Sequence, residues 1–163
     1  MQAVVCVSKN WGIGFDGSLL FHISADFRRF RSLTEGKTVI YGSRTLSTFQ
    51  NCKPLKNRRN IILTRKDISF DGAEVAHSVA EAVSLAGDDA IVIGGSSVYD
   101  ALLPYCDRVI ATKVNAKPLS DSFFPNLDLD PAWIVERCSD VMNESGLEFQ
   151  FVDYLKKEIC YGD

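Results

Sequence analysis

The sequence has few of the residues that build disulfide or metal sites. Its two histidines, His22 and His77, lie far apart, and no C-x-x-C pair occurs. Its five cysteines are irregularly spaced: Cys6, Cys52, Cys106, Cys138 and Cys160. An odd, scattered set predicts free or buried thiols in a reducing compartment rather than a disulfide framework. Because H-E-x-x-H, G-x-S-x-G and G-x-x-x-x-G-K-[ST] are also missing, metal catalysis, serine hydrolysis and P-loop ATPase chemistry have little support.

Long apolar runs and a strong charge of one sign are missing as well. No stretch approaches the ~18 apolar residues of a membrane span, and no basic segment followed by an apolar one marks a signal peptide. A net charge of −3 over 163 residues gives no electrostatic reason to expect nucleic-acid binding. The basic stretch 53–60 is interpreted as a solvated loop, but Arg58 and Arg59 directly precede a strand, where one of them is a candidate to anchor an anionic ligand. We expect a cytoplasmic protein with one domain over residues 1–163 that binds neither membrane nor nucleic acid.

Strand-like and helix-like segments alternate along the chain. The strand candidates are Ala3–Val7, Thr38–Tyr41, Asn60–Thr64, Glu74–Val75, Ala90–Ile93 and Arg108–Val114. Helices are predicted from Ser24, after Gly42, from Ser78 (with a Ser78–Glu81 capping box and a stop at Gly87) and after Gly95, ending at Pro104. This order predicts an α/β fold: a mostly parallel central sheet of about eight strands with helices on both faces. Trp133–Arg137 and Leu147–Tyr154, around a turn at 143–146, predict an antiparallel C-terminal hairpin.

The stretch GIGFDG (12–17) has the glycine spacing of a dinucleotide fingerprint, G-x-G-x-x-G. In that fingerprint the third glycine opens a helix. Here Gly17 is followed by SLLFHI, and the next helix start is Ser24. The stretch is therefore not interpreted as a Rossmann turn. It is either a turn-rich surface loop or a flexible loop that covers a ligand.

Two other segments fit phosphate binding better. IVIGGSSVY (91–99) and VIYGSRT (39–45) each place glycine after a buried strand and hydroxyl residues at a helix start, where free N–H groups bind anions. For either segment alone, simple capping by Ser and Thr is the better interpretation. Two such segments in one sheet favour a nucleotide. Arg44 and Arg65, each just past a strand end, are candidates for a further phosphate.

Asp26 lies in the first turn of the helix that starts at Ser24. By position alone, the simplest role for this carboxylate is to stabilise the helix N-terminus. However, Asp26 shares a face with Phe30 and Leu33, and a partly buried carboxylate needs a partner. Arg28 and Arg29 are expected on a solvated face, so the predicted partner is a ligand with paired N–H donors. Burial raises the pKa of such a carboxyl and the helix terminus lowers it, so the direction of the net pKa shift stays open.

In this order, several segments resemble a bacterial-type dihydrofolate reductase over nearly the whole chain: NWGIGFDGSLL, ADFRRF, VIYGSRT, PLKNRRNIILTR, IVIGGSSVYDALLP, ATKV and DSFFP. The resemblance implies a monomer that uses NADPH to reduce 7,8-dihydrofolate to tetrahydrofolate for one-carbon metabolism. Hydride transfer is to C6 and protonation is at N5. GIGFDG is then similar to the family's lid over nicotinamide and substrate.

The resemblance also implies residue roles. Asp26 would accept two pterin N–H bonds and favour protonation at N5, Thr112 would bond Asp26 and a substrate amine, and Arg58 would bind the glutamate tail. The implied catalytic residues are Asp26, Phe21, Thr112 and Tyr99. The implied substrate-binding residues are Val4, Val5, Asp26, Phe27, Phe30, Phe49, Leu55, Arg58, Ile93 and Thr112. The implied NADPH-binding residues are Cys6, Ile13, Gly14, Ser18, Leu19, Gly42, Ser43, Arg44, Thr45, Leu63, Thr64, Arg65, His77, Gly94, Gly95, Ser96, Ser97, Val98 and Tyr99.

The chain departs from the family pattern in three segments, the first of which is Leu19-Leu20-Phe21, where Leu-Pro-Trp is common. Phe21 stands where a tryptophan N–H commonly helps to hold a site water. Ser24 stands where proline is common and is expected to cap its helix. Ser43 stands where an arginine usually follows the glycine, so preference for the 2′-phosphate must rest on Arg44, Thr64, Arg65 and His77. Two alternatives stay open: a reductase of this fold for another pterin or a ribosylamino-pyrimidine, and a non-catalytic nucleotide- or RNA-binding module.

Overall fold

Six parallel strands form the centre of the sheet in a computed structural model that describes residues 1–158. Within these residues the strands are β1 (Gln2–Val7), β2 (Gly12–Phe15), β3 (Ser18–Leu19), β4 (Thr38–Gly42), β5 (Arg59–Leu63), β6 (Glu74–Ala76), β7 (Ile91–Gly94), β8 (Arg108–Val114), β9 (Ser122–Phe123), β10 (Trp133–Cys138), β11 (Met142–Glu144) and β12 (Leu147–Lys156). The α-helices are α1 (Ser24–Thr34), α2 (Val79–Ala86) and α3 (Ser96–Leu102).

The main sheet has the order β10-β12-β8-β1-β7-β4-β5-β6, and β11 pairs with β12 beside this path. Strands β8, β1, β7, β4, β5 and β6 run parallel, whereas β12 is antiparallel to both β8 and β10. The predicted eight-strand, mostly parallel sheet with an antiparallel C-terminal pair is confirmed. A second, three-stranded sheet of β3, β2 and β9 was not predicted.

Side chains alternate between the two faces of the main sheet, as strand geometry requires. In β4, Val39 and Tyr41 pack with Phe30 and Leu33 of α1. Ile40 packs in the cluster that contains the buried side chains of α2 and α3. We call the first side the α1 face and the second the α2/α3 face. Helices therefore cover both faces, as predicted.

The helix termini agree with the sequence in some places and not in others. Ser78 accepts from the N–H of Glu81 (3.1 Å), and Gly87 ends α2 with φ 73°, so the predicted cap and stop are confirmed. The segment after Gly42 forms a short 3₁₀ turn, Thr45–Thr48, rather than an α-helix. Helix α3 ends at Leu102, and Pro104 lies in the 3₁₀ turn that follows.

The predicted cap of α1 is wrong. Ser24 is the first helical residue, Ile23 holds the cap position, and no side chain there accepts a helix N–H. Instead, the carboxylate of Glu144 accepts from the N–H of Ser24 (2.6 Å) and of Ala25 (3.2 Å). A carboxylate is favourable at this position because the helix dipole and free N–H groups make the N-terminus positive.

Cys6, Cys52, Cys106 and Cys138 are free thiols, and Cys160 lies outside the described residues. Among residues 1–158 there is no cluster of side chains able to hold a metal ion. No described helix combines the length and apolarity that crossing a membrane requires.

Candidate active site

Asp26, in the first turn of α1, lies next to Thr112 near the carboxyl end of β8. The Thr112 hydroxyl donates to Asp26 Oδ1 at 2.6 Å. Thr112 reaches it because Ile110 and Thr112 point to the α1 face, and Ala111 between them points away. Burial raises the pKa of the Asp26 carboxyl above its ordinary value of 3.8, against the lowering effects of Thr112, Arg29 and the nearby Cys6 thiol. The direction of the pKa shift, which the sequence left open, is therefore upward.

Arg29 is not on a solvated face, so that expectation is wrong. Its guanidinium lies 4.2 Å from the centre of the Phe151 ring, and Nη2 lies 3.2 Å from Asp153 Oδ1. Phe151 and Asp153 both project from β12 to the α1 face. Arg28 is exposed, as expected. A cation therefore stands one helical turn from Asp26.

Apolar side chains on the α1 face form a wall beside Asp26. One cluster contains five of the implied substrate-binding residues: Val4, Phe30, Phe49, Leu55 and Ile93. Val5 is the exception. Its side chain points to the α2/α3 face, so strand alternation removes it from this wall.

Two further aromatic residues lie at the same end of α1. Phe27 is 42% exposed, with its ring centroid 5.9 Å from that of His22. Phe21 and Cys6 pack beside Phe151, in the cluster next to Asp26. The Phe21 ring has no N–H to offer to a water.

Arg58 is held at the other end of α1. Its Nε donates to Thr34 Oγ1 (3.0 Å) and its Nη1 donates to the carbonyl oxygen of Lys56 (2.9 Å). Partial burial lowers the pKa of the Arg58 guanidinium below its ordinary value. Arg59, by contrast, donates from Nε and Nη2 to the two oxygens of the Glu74 carboxylate. Of the two adjacent arginines, Arg58 is the one placed to bind an anion.

Asn60 organises the segment that carries Leu55 and Arg58, a role that was not predicted from the sequence. Its Oδ1 accepts from the Leu55 N–H (3.0 Å) and the Tyr41 hydroxyl (2.9 Å). Its Nδ2 donates to the carbonyl oxygens of Leu55 (2.9 Å) and Arg58 (3.1 Å). A buried amide with four partners fixes a loop firmly. The available signal was an asparagine at the start of a buried apolar strand.

The GIGFDG stretch forms the β2–β3 hairpin, with its turn at Asp16 and Gly17. This confirms that it is not a Rossmann turn. Asp121 anchors the hairpin, since its Oδ2 accepts from the Asp16 N–H (2.9 Å) and its own N–H donates to the Gly14 carbonyl (3.0 Å). A Cβ on Gly12 would lie 2.2 Å from Ser120 Oγ, so only glycine fits there.

Other hairpin residues divide between core and surface. Ile13 packs against the core, whereas Ser18 and Leu19 are exposed.

Strands β4 and β7 both end in glycine, so no side chain covers the main chain at these two ends. The Gly94–Gly95 peptide is cis, and Gly94 has φ 136°. Thr45 Oγ1 lies 3.4 and 3.5 Å from the Cβ positions that side chains on Gly94 and Gly95 would occupy. A Cβ on Gly42 would lie 3.2 Å from Val98 Cγ2. Such a cradle fits the close approach of a diphosphate to the backbone, and α3 begins beside it with Ser96, Ser97 and Val98.

Tyr99 follows in α3 and is almost fully buried. Its hydroxyl donates to the Val4 carbonyl at 2.6 Å, and its ring packs edge-on against Phe124. Burial raises the pKa of Tyr99 far above its ordinary value of 10. Its proton is therefore fixed, and the residue contributes shape and packing rather than acid–base chemistry.

Hydroxyl and basic residues follow β4, β5 and β6, which are neighbours in the sheet. Gly42 is paired with Leu63, which brings Ser43 and Arg44 beside Thr64 and Arg65. His77 Nδ1 lies 3.1 Å from the Thr64 carbonyl. Arg44 and Arg65 are exposed, and neither forms an ion pair with a described residue. This edge can hold a phosphate ester.

Comparisons with known proteins agree with this geometry. A family model described as dihydrofolate reductase matches residues 1–156. The dihydrofolate reductase of Neisseria meningitidis serogroup A is 32% identical over 94% of this chain and 96% of that protein. The Bacillus subtilis dihydrofolate reductase is 30% identical over 94% and 93%. A structure of the Enterococcus faecalis dihydrofolate reductase, complexed with NADP(H) and RAB-propyl, aligns with a TM-score of 0.85 and 28% identity over 96% of each chain.

Proposed function

The chain belongs to the dihydrofolate reductase family, and we propose that its reaction centres on the partly buried carboxylate of Asp26. The reaction is the reduction of 7,8-dihydrofolate to 5,6,7,8-tetrahydrofolate with NADPH. The observation that carries the proposal is the Thr112–Asp26 hydrogen bond at the carboxyl end of β8, the end at which ligands bind to open α/β sheets.

Asp26 acts by binding and orienting the pterin ring. An ionised carboxylate has about four lone-pair sites, and Thr112 uses one of them. The remaining sites accept the paired N–H groups of the pterin amide and amine, which fixes the ring against Val4, Phe30 and Ile93. The negative charge next to the ring favours the protonated form of N5, and the proton comes from water. Positioning and electrostatics account for this catalysis.

The edge formed by the ends of β4, β5 and β7 fits NADPH. When bound, NADPH supplies the hydride. Gly42, Gly94 and Gly95 would admit its diphosphate to the main chain. The 2′-phosphate would be held by hydroxyl, guanidinium and imidazole side chains, those of Arg44, Thr64, Arg65 and His77. The β2–β3 hairpin would exclude water from the reacting rings, with Ile13 and Leu19 as its apolar contacts.

Arg58 supplies the recognition of the substrate tail. Its guanidinium is already oriented by Thr34 and Lys56, which lowers the entropy cost of binding a carboxylate in the two-pronged geometry that suits arginine. A polar ribosyl chain would find no partners for its hydroxyl groups on the apolar wall of Phe30, Phe49 and Leu55 next to this arginine. This supports dihydrofolate over a ribosylamino-pyrimidine.

Replacing Asp26 with Asn tests the proposal. The variant loses two charge-assisted hydrogen bonds of about 1.5–3 kcal/mol each, so kcat/KM for dihydrofolate at pH 7 should fall about 10²- to 10⁴-fold. NADPH binding, measured by fluorescence titration, should be retained. Asp140→Asn, which changes an exposed carboxylate on the loop after β10, is the matched control and should keep wild-type turnover. Wild-type turnover in Asp26→Asn would refute the assignment.

We also propose that residues 1–163 act as one cytoplasmic, monomeric domain. Strand β1 lies next to β8, and β8 lies next to β12, so the two ends of the chain share one sheet. The free thiols fit a reducing compartment. Light scattering at the mass of one chain, 18.1 kDa, supports the monomer, and twice that mass would contradict it.

A further inference from the structure

Arg29 lies directly behind the substrate-binding carboxylate. It follows Asp26 by three positions on α1, so the two side chains are neighbours on the helix surface. Its guanidinium stacks on Phe151 at 4.2 Å. Phe151 is paired with Thr112 in the sheet, and Thr112 bonds Asp26. The cation is therefore built into the same layer of side chains as the pterin site.

The charge of Arg29 is only partly compensated. Nη2 lies 3.2 Å from Asp153 Oδ1, a single contact rather than the two-pronged pairing that arginine can make. Nη1 is buried, and among residues 1–158 it is the one buried side-chain nitrogen or oxygen without a hydrogen-bond partner. A buried donor left unpaired is costly. Its persistence here points to a function for the remaining positive charge.

We propose that Arg29 is a positioning residue that keeps Asp26 ionised, and that Asp153 sets how strongly it does so. This inference rests on the proposed role of Asp26. Burial alone would favour the neutral acid, which turns one of its oxygens into an O–H donor facing the pterin N–H groups. The uncompensated part of the Arg29 charge opposes this, because a nearby opposite charge favours the ionised carboxylate and lowers the pKa of Asp26.

Other ionisable groups around Asp26 keep a constant charge near neutral pH. Burial raises the pKa of Cys6 on β1 and of Tyr99 on α3, so both stay neutral. On β11, hydrogen bonds from α1 lower the pKa of Glu144, so it stays ionised. Arg108, which faces Asp153 from β8, is paired with Glu136 and stays charged. Arg28, on α1, is exposed.

Four variants test the proposal. Arg29→Met keeps an unbranched apolar stem over Phe151 but removes the charge, Arg29→Lys restores the charge, and Asp153→Asn frees it. Arg28→Met removes an equal charge from the next residue, on the exposed side, and is the matched control. The direct readout is the ¹³C carboxyl NMR titration of Asp26 in aspartate-labelled protein, with the signal assigned by its loss in Asp26→Asn. The second readout is the pH profile of kcat/KM.

The variants should move the Asp26 pKa in opposite directions. Arg29→Met should raise it by roughly half to one unit, because an opposite charge nearby favours the ionised form. Arg29→Lys should return it close to the wild-type value, and Asp153→Asn should lower it. Arg28→Met should leave it unchanged. The acid limb of kcat/KM should follow each shift, a result that a purely structural role for Arg29 would not produce.

An unchanged Asp26 titration in Arg29→Met would overturn the proposal, as would an equal shift in Arg28→Met. If Arg29→Met does not fold, the test uses Asp153→Asn instead. An Asp26 pKa that rises or stays unchanged in Asp153→Asn contradicts the proposal. The NMR titration needs no turnover, so it separates this inference from the proposed function. If a variant shifts the Asp26 pKa in the NMR titration but leaves the acid limb of kcat/KM in place, the role of Asp26 is refuted.

Discussion

Asn60→Ala should weaken both the fold and the recognition of the substrate tail. The side chain of Asn60 makes four hydrogen bonds, two of them to Leu55, one to the Arg58 carbonyl and one to the Tyr41 hydroxyl. Among the described residues, it is the only side chain that joins β5 to both Leu55 and Arg58. Without the Asn60 side chain, Arg58 keeps its hydrogen bond to Thr34, but the Arg58 carbonyl is no longer held in place.

The size of the effect follows from these bonds. Each contributes about 0.5–1.5 kcal/mol net, so their loss costs about 2–6 kcal/mol. Leu55 and Arg58 are only half-buried, and water can replace part of their bonding, whereas the Tyr41 hydroxyl is fully enclosed. We expect a loss of about 3–4 kcal/mol, which leaves the chain folded if its total stability lies in the ordinary range of about 5–15 kcal/mol.

The assay combines urea unfolding with steady-state kinetics at pH 7. The urea midpoint should fall by the amount that the loss predicts, and the KM for dihydrofolate should rise about 10-fold or more, the equivalent of one weakened charged hydrogen bond. The KM for a dihydropterin without a glutamate tail should change little. Tyr41→Phe removes one of the four bonds and is the matched control, with a loss of about 1 kcal/mol and an unchanged KM.

An equal rise in KM for both substrates in Asn60→Ala would refute the reasoning, because it would place the damage at the pterin site rather than at the tail site. A loss of stability no larger than that of Tyr41→Phe would also refute it, since the bonds to Leu55 and Arg58 would then contribute nothing.

Two further predictions concern α1. Burial raises the pKa of Asp26, so the folded state binds more protons than the unfolded state between pH 3.8 and the raised value, and stability falls as the pH rises through that window. Asp26→Asn should therefore exceed the wild type in urea midpoint at pH 7 but not at pH 3. Glu144→Gln removes the negative charge at the N-terminus of α1, so it should lower both the melting temperature and kcat at pH 7. Unchanged circular dichroism melting would contradict this role of Glu144.

Local periodicity was enough to place Asp26 but not to identify its charge environment. The 3.6-residue spacing of Asp26, Phe30 and Leu33 predicts their common face from sequence alone. Arg29 has the same local pattern as an exposed residue such as Arg28. Its burial depends on Phe151 and Asp153, the latter 124 residues later in the chain. No window short enough to reveal a helix contains that partner.

The cap of α1 could not be predicted for the same reason. Its carboxylate belongs to Glu144, 120 residues beyond Ser24. The one local candidate for a cap was the Ser24 hydroxyl, which is why the sequence predicts a cap there. Asn60 is a different case, because its partners lie close in sequence and its position at the start of a buried strand was a readable signal. A buried amide must find hydrogen bonds, and a loop next to it is the nearest source.

The C-terminal strands do more than extend the edge of the sheet. The antiparallel ladder of β12 on β8 runs from Phe149 with Val114 to Leu155 with Arg108, and it places the stacking partner of Arg29 beside Thr112. The hairpin of β11 and β12 supplies the carboxylate that caps α1, that of Glu144. Helix α1 can form its apolar contacts with β4 and β7 without β12, but it then lacks the cap and the ion pair that orient its first turn. The geometry around Asp26 is therefore completed only when the last strand docks.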